Sequence, residues 1–141
     1  MTIRVERTFD LAVPAEDVWD FISDPEKRAS AIGIVDSYEV DGDRSTWHIR
    51  LPVPLVKQTI PVRTEDVERD PPRYVKFVGR STALRVTGEH EIVETETGCR
   101  LINRFVVEGR LPGVERYFER NLDDELDNLE GDLHDYLEVS P

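Results

Sequence analysis

Few residues of this chain could do chemistry, and their spacing narrows what that chemistry is. His90 and Asn103 lie in two stretches, 82–94 and 99–109, whose apolar residues alternate with polar ones. With a turn at 95–98, Glu94 faces Cys99 and His90 faces Asn103, so an imidazole and a carboxamide share the inner face of a hairpin. A slip of one residue would turn one strand inside out, which favours this register. Arg7 has the inner parity of an N-terminal strand in which Ile3, Val5, Phe9, Leu11 and Val13 alternate with polar residues.

Buried polar groups need partners. His90 and Asn103 either satisfy one another or, with Arg7, present hydrogen bonds to the oxygen end of a largely apolar ligand. Histidine titrates near neutrality, so an acid/base role for His90 is allowed, but no second catalytic group accompanies it. His48, His90 and His134 stand at unrelated spacings, and Glu130 with His134 is too common a helical pair to mark a metal site. Cys99 has no histidine opposite it and reads as a small buried hydrophobe. Neither a glycine-rich phosphate loop nor a nucleophile elbow occurs, so no cofactor and no catalytic residue are assigned.

The elements that position these groups follow from periodicity. Pro14 opens a helix over 14–22 with Glu16 and Asp17 in its first turn and Val18, Phe21 and Ile22 on one face; Asp24-Pro25 stops it. A second short helix spans 26–31. Period-two strands follow at 35–41, 44–51, 57–69, 73–79, 82–94 and 99–109, joined as a meander through turns such as Asp41-Gly42 and Asp70-Pro71-Pro72. Val114, Phe118, Leu122, Leu126, Leu129, Leu133 and Leu137 recur every three or four residues, one helix of about 24 residues and ~36 Å. Asp123, Asp124, Asp127, Glu130 and Asp135 form its solvated face.

This order predicts one α+β domain over residues 1–141: a seven-stranded antiparallel sheet curved around a long C-terminal helix, with two short helices after the first strand. Such a sheet leaves a cavity against the helix. Trp47, Ile49, Phe77, Val86 and Phe105 from the sheet, with Phe118 and Leu122 from the helix, are its expected walls. In a meander the connections alternate ends, so 52–56, 79–82 and 109–113 collect at one end. Val53, Leu55 and Leu111 are apolar residues on those loops and frame a cavity mouth, or pack on the first helical turn, or make a homodimer or protein-partner contact.

Charge limits the partners. The 141 residues carry 30 Asp plus Glu against 18 Lys plus Arg, a net charge of −12, with 15 Arg and only 3 Lys. Nucleic acids and anionic lipid surfaces draw cations, so neither is an expected partner. Acid-rich, lysine-poor composition fits a salt-rich cytosol, where screening shrinks to ~3 Å at 1 M salt. One cysteine excludes an internal disulfide, and no apolar run reaches the ~18 residues of a membrane span. A cytoplasmic location and no stable membrane insertion are the expectations.

The run Val13-Pro14-Ala15-Glu16-Asp17-Val18-Trp19-Asp20-Phe21-Ile22-Ser23-Asp24-Pro25-Glu26 resembles the opening of the START-like, SRPBCC or polyketide-cyclase-like superfamily. Ile32-Gly33, Asp70-Pro71-Pro72-Arg73, Val86-Thr87-Gly88 and the leucine-rich closing helix most resemble its carbon monoxide dehydrogenase G branch. The resemblance implies a helix-grip fold holding a hydrophobic molecule such as a lipid, polyketide, isoprenoid or quinone, with no shared catalytic motif. A non-catalytic binder or carrier is the first expectation. The alternatives are a cyclase- or dehydratase-like enzyme and a ligand-free accessory subunit.

Overall fold

The computed structural model describes residues 2–51 and 58–137. Strand β1 (Thr2–Leu11) leads into α1 (Ala15–Ile22) and α2 (Pro25–Ser30). Six strands follow: β2 (Val35–Asp41), β3 (Arg44–Ile49), β4 (Ile60–Asp70), β5 (Tyr74–Arg80), β6 (Leu84–Thr95) and β7 (Gly98–Gly109). Helix α3 (Val114–Leu137) comes last in the order of elements. The sheet runs β1-β7-β6-β5-β4-β3-β2, with every neighbouring pair antiparallel.

Pro25 does not merely end α1; it starts α2. Its missing N–H falls where a helix has no acceptor for it, and the Asp24 carboxylate caps the new helix by accepting from the Glu26 N–H at 2.9 Å. The β6–β7 register matches the alternation, with Glu94 opposite Cys99, Ile92 opposite Leu101 and His90 opposite Asn103. Strand β1 adds to the other side of β7 and sets Arg7 opposite Asn103.

Helix α3 is held by its stripe. Val114, Phe118, Leu122, Leu126, Leu129 and Leu133 are all buried, and each such side chain contributes about 1.5–3 kcal/mol over its exposed state. The apolar parities of β3 to β7 form the opposite wall. Phe77 and Phe105 flank Gly88 on neighbouring strands, and the Phe77 ring lies over that glycine: a Cβ there would stand 2.5 Å from Phe77 Cζ. The absent side chain is what lets an aromatic ring lie close against the sheet.

Candidate functional site

Between the sheet and α3 lies a cavity of about 80 Å³. A single water needs roughly 10–15 Å³ on the same measure, so the space suits a small ring rather than a long chain. Trp47, Ile49, Phe77, Val86, Phe105, Phe118 and Leu122 line it, as does His90. Further walls come from Ile32 and Ile34 after α2, and from Arg28, Glu125, Leu126 and Leu129.

The polar end centres on His90. Its Nδ1 lies 2.7 Å from Asn103 Oδ1, and Asn103 Nδ2 donates to the Arg7 carbonyl at 3.2 Å. Two phenylalanines cage the imidazole: Phe77 stacks on it at 6.2 Å and Phe105 meets it edge-on at 5.6 Å. Burial, then the charge of Arg28, pushes the His90 pKa down to about 3, so the ring is neutral at physiological pH.

Arg28 enters from α2 and is only 5% exposed. Its Nη2 donates to Asp66 Oδ1 at 2.6 Å, and Asp66 Oδ2 accepts from Arg69 Nη1 at 2.7 Å. The three charges sum to +1. Burial lowers the Arg28 pKa from its ordinary value, yet a guanidinium stays protonated at neutral pH. Its carbon sits 5.2 Å from the centre of the Phe77 ring. The Nε and Nη1 of Arg28, and the Nε1 of Trp47, are buried without a hydrogen-bond partner among the described residues. Glu125 forms another wall; its Oε2 accepts from the Gly33 N–H at 2.6 Å, and burial raises its pKa.

Two expected site residues fall elsewhere. Arg7 shares the inner parity of β1 but does not line the cavity. Its side chain spans to α3, where Nη2 donates to Asp127 Oδ1 at 2.6 Å and Nη1 to the Asp123 carbonyl at 3.3 Å. The acidic face of α3 draws the guanidinium away, so Arg7 contributes only its backbone carbonyl to the polar network. Leu111 is half-buried, packs against the core and does not line the cavity; the Val114 N–H bonded to its carbonyl ties it to the first turn of α3. Val53 and Leu55 lie outside the described residues. Arg28 and Glu125 line the cavity without any periodicity in the sequence to single them out. The available signal was Asp66, which shares the inner parity of Val62 and Thr64 on β4 and therefore demands a buried cation. Cys99 is 1% exposed, with burial raising its pKa.

An antiparallel sheet gripping a long helix, with an apolar cavity between them, defines the helix-grip class. Within it, the chain belongs to the polyketide cyclase / dehydrase and lipid transport family, whose model matches residues 2–133. The fold is similar to that of a START superfamily protein from Mycobacterium smegmatis, with a TM-score of 0.75 at 14% identity over 96% of this chain and 97% of that one. A conserved protein from Geobacillus kaustophilus gives 0.75 at 15% identity over 94% and 93%. The Zhui aromatase/cyclase from Streptomyces sp. R1128 gives 0.66 at 17% identity over 95% and 94%. No curated protein sequence matches the chain. No helix among the described residues is long and apolar enough to cross a membrane.

Proposed function

We propose that this protein binds and carries a hydrophobic small molecule in the cavity between sheet and helix. The supporting observation is a cavity walled mainly by apolar side chains, with His90, neutral and weakly basic, among its few polar groups. Lipid transport is part of the family's description; isoprenoid or quinone-like ligands are the narrower reading, and the room found here accommodates a ring-sized portion of one. A cytoplasmic, salt-rich setting fits the acidic, lysine-poor composition.

Proton abstraction at neutral pH needs a base whose pKa lies near the operating pH. His90, at about 3, is far from that. A cyclase- or dehydratase-like activity is the second reading, and what favours it is Glu125, a carboxyl of raised pKa on the same wall. A binder needs only an orienting group, whereas that enzyme needs the carboxyl and a base within reach of one substrate atom.

The test is titration of isotope-labelled protein with naphthalene. Saturable shifts confined to the amides of Phe77, Phe105, Leu122 and Leu126 support the reading. An unchanged spectrum at saturating naphthalene overturns it. His90→Leu then asks whether the imidazole recognises the natural ligand: unchanged retention and affinity would remove it from that role.

A further inference from the structure

The hydrogen bonds around Asn103 settle the protonation pattern of His90, and with it what the cavity offers a ligand. The Arg7 carbonyl can only accept, so the Asn103 group facing it at 3.2 Å is the NH2. The other side of that amide, its carbonyl oxygen, then faces His90 Nδ1 at 2.7 Å. A carbonyl oxygen can only accept, so Nδ1 carries the hydrogen. In a neutral imidazole the remaining nitrogen is bare. Nε2 is therefore an acceptor, and it makes no hydrogen bond to any described residue. The tautomer follows from an acceptor at the far end of the chain Arg7 C=O, Asn103, His90.

Arg28 supplies the opposite need. Its Nε and Nη1 hydrogens have no acceptor among the described residues. The guanidinium and the imidazole both pack against Phe77, at 5.2 and 6.2 Å from that ring. Both residues line the cavity, so it offers a ligand an acceptor and unsatisfied donors, beside the Trp47 Nε1 and the Glu125 carboxyl, among walls that are otherwise apolar. A hydroxyl answers both, because its hydrogen is donated and its oxygen accepts. A ketone or quinone carbonyl answers only the donors and sets its lone pairs against those of Nε2.

We propose that the cavity selects apolar ring ligands bearing a hydroxyl, phenolic or enolic before aliphatic, whose O–H donates to His90 Nε2 while its oxygen faces Arg28. The positive charge of Arg28 favours electron density on that oxygen, which places acidic hydroxyls first. This rests on the cavity's being a ligand site and narrows the ligand from hydrophobic in general to hydroxylated, so a reduced hydroquinone would bind in preference to its quinone.

The experiment compares 1-naphthol, naphthalene and 1-tetralone on the wild-type protein by amide shift titration, together with a long-range proton–nitrogen spectrum of the His90 ring. An unmet buried hydrogen bond is worth roughly ten- to a hundredfold in affinity, so 1-naphthol should bind at least about tenfold more tightly than either analogue. The ring spectrum should show hydrogen on Nδ1 and a bare Nε2 whose resonance moves when 1-naphthol is added. In His90→Gln, whose amide offers both a donor and an acceptor, the preference for 1-naphthol over 1-tetralone should collapse. Equal binding of all three to the wild type, or hydrogen found on Nε2, overturns the hydroxyl selection while leaving the cavity as a ligand site. Failure of all three to bind overturns both.

Discussion

Adding one methyl group at Gly88 tests how the cavity is built. A Cβ at this position would stand 2.5 Å from Phe77 Cζ, against about 3.5–4.0 Å for a relaxed carbon contact. The ring must therefore retreat by about 1 Å or more. It is hemmed by the Arg28 guanidinium at 5.2 Å, Trp47 at 5.7 Å, His90 at 6.2 Å and Phe105 at 6.3 Å, which leaves the cavity it lines as the free direction. Overpacking a filled core costs about 1–3 kcal/mol. Open space beside the ring puts Gly88→Ala near the lower end, a fall in Tm of about 3–6 °C for a domain of this size. The larger effect falls on ligand uptake, because a displaced ring would occupy much of a cavity of about 80 Å³. Thermal unfolding with and without naphthalene reads both: the variant should be modestly less stable and gain little from the ligand. A variant with wild-type Tm and undiminished stabilisation by naphthalene would refute the placement of Phe77 over Gly88.

Removing the centre or one end of the buried ion cluster should have unequal effects. Asp66, whose side chain is 2% exposed, serves both Arg28 and Arg69, so Asp66→Asn strands a buried guanidinium and should cost about 3–5 kcal/mol; Arg28→Met leaves Asp66 paired and should cost clearly less in denaturant unfolding, and equal losses would contradict the cluster. Burial raises the Glu125 pKa, so its contribution is full below the unfolded pKa and is lost as pH rises through the folded one. Glu125→Gln, which keeps an acceptor for the Gly33 N–H, should therefore raise Tm at neutral pH and lose that advantage near about pH 4; a lower Tm at neutral pH would contradict this. With a net charge of −12, circular dichroism should show folding strengthened by molar KCl through screening of self-repulsion, and full, salt-independent folding in dilute buffer would remove the salt-adaptation reading.

The hairpin that pairs His90 with Asn103 was legible because two constraints agree there: strict alternation on both strands and a turn short enough to set the register. Helix α3 was legible for a similar reason, since its apolar stripe runs unbroken from Val114 to Leu133. Arg7 shows where parity stops being informative. A long side chain on an edge strand reaches past its own face, and a helix bearing Asp123 and Asp127 offered a better partner than an apolar interior. Arg28 was hidden differently, because six residues of α2 are too few for periodicity to show which of them points inward. Only the acid at Asp66, on an inward parity one strand away, implied it, and joining the two requires the tertiary packing of α2 against the sheet. The cavity's size was likewise invisible, since it depends on Gly88 letting Phe77 lie close to the sheet.

The most direct test of the central claim is native mass spectrometry of the protein purified from its own source, followed by organic extraction. A binder of hydrophobic small molecules should carry, in a fraction of its molecules, an added mass that extraction releases as a discrete apolar compound bearing a hydroxyl. Protein that is uniformly free of added mass and takes up neither naphthalene nor 1-naphthol would contradict the claim.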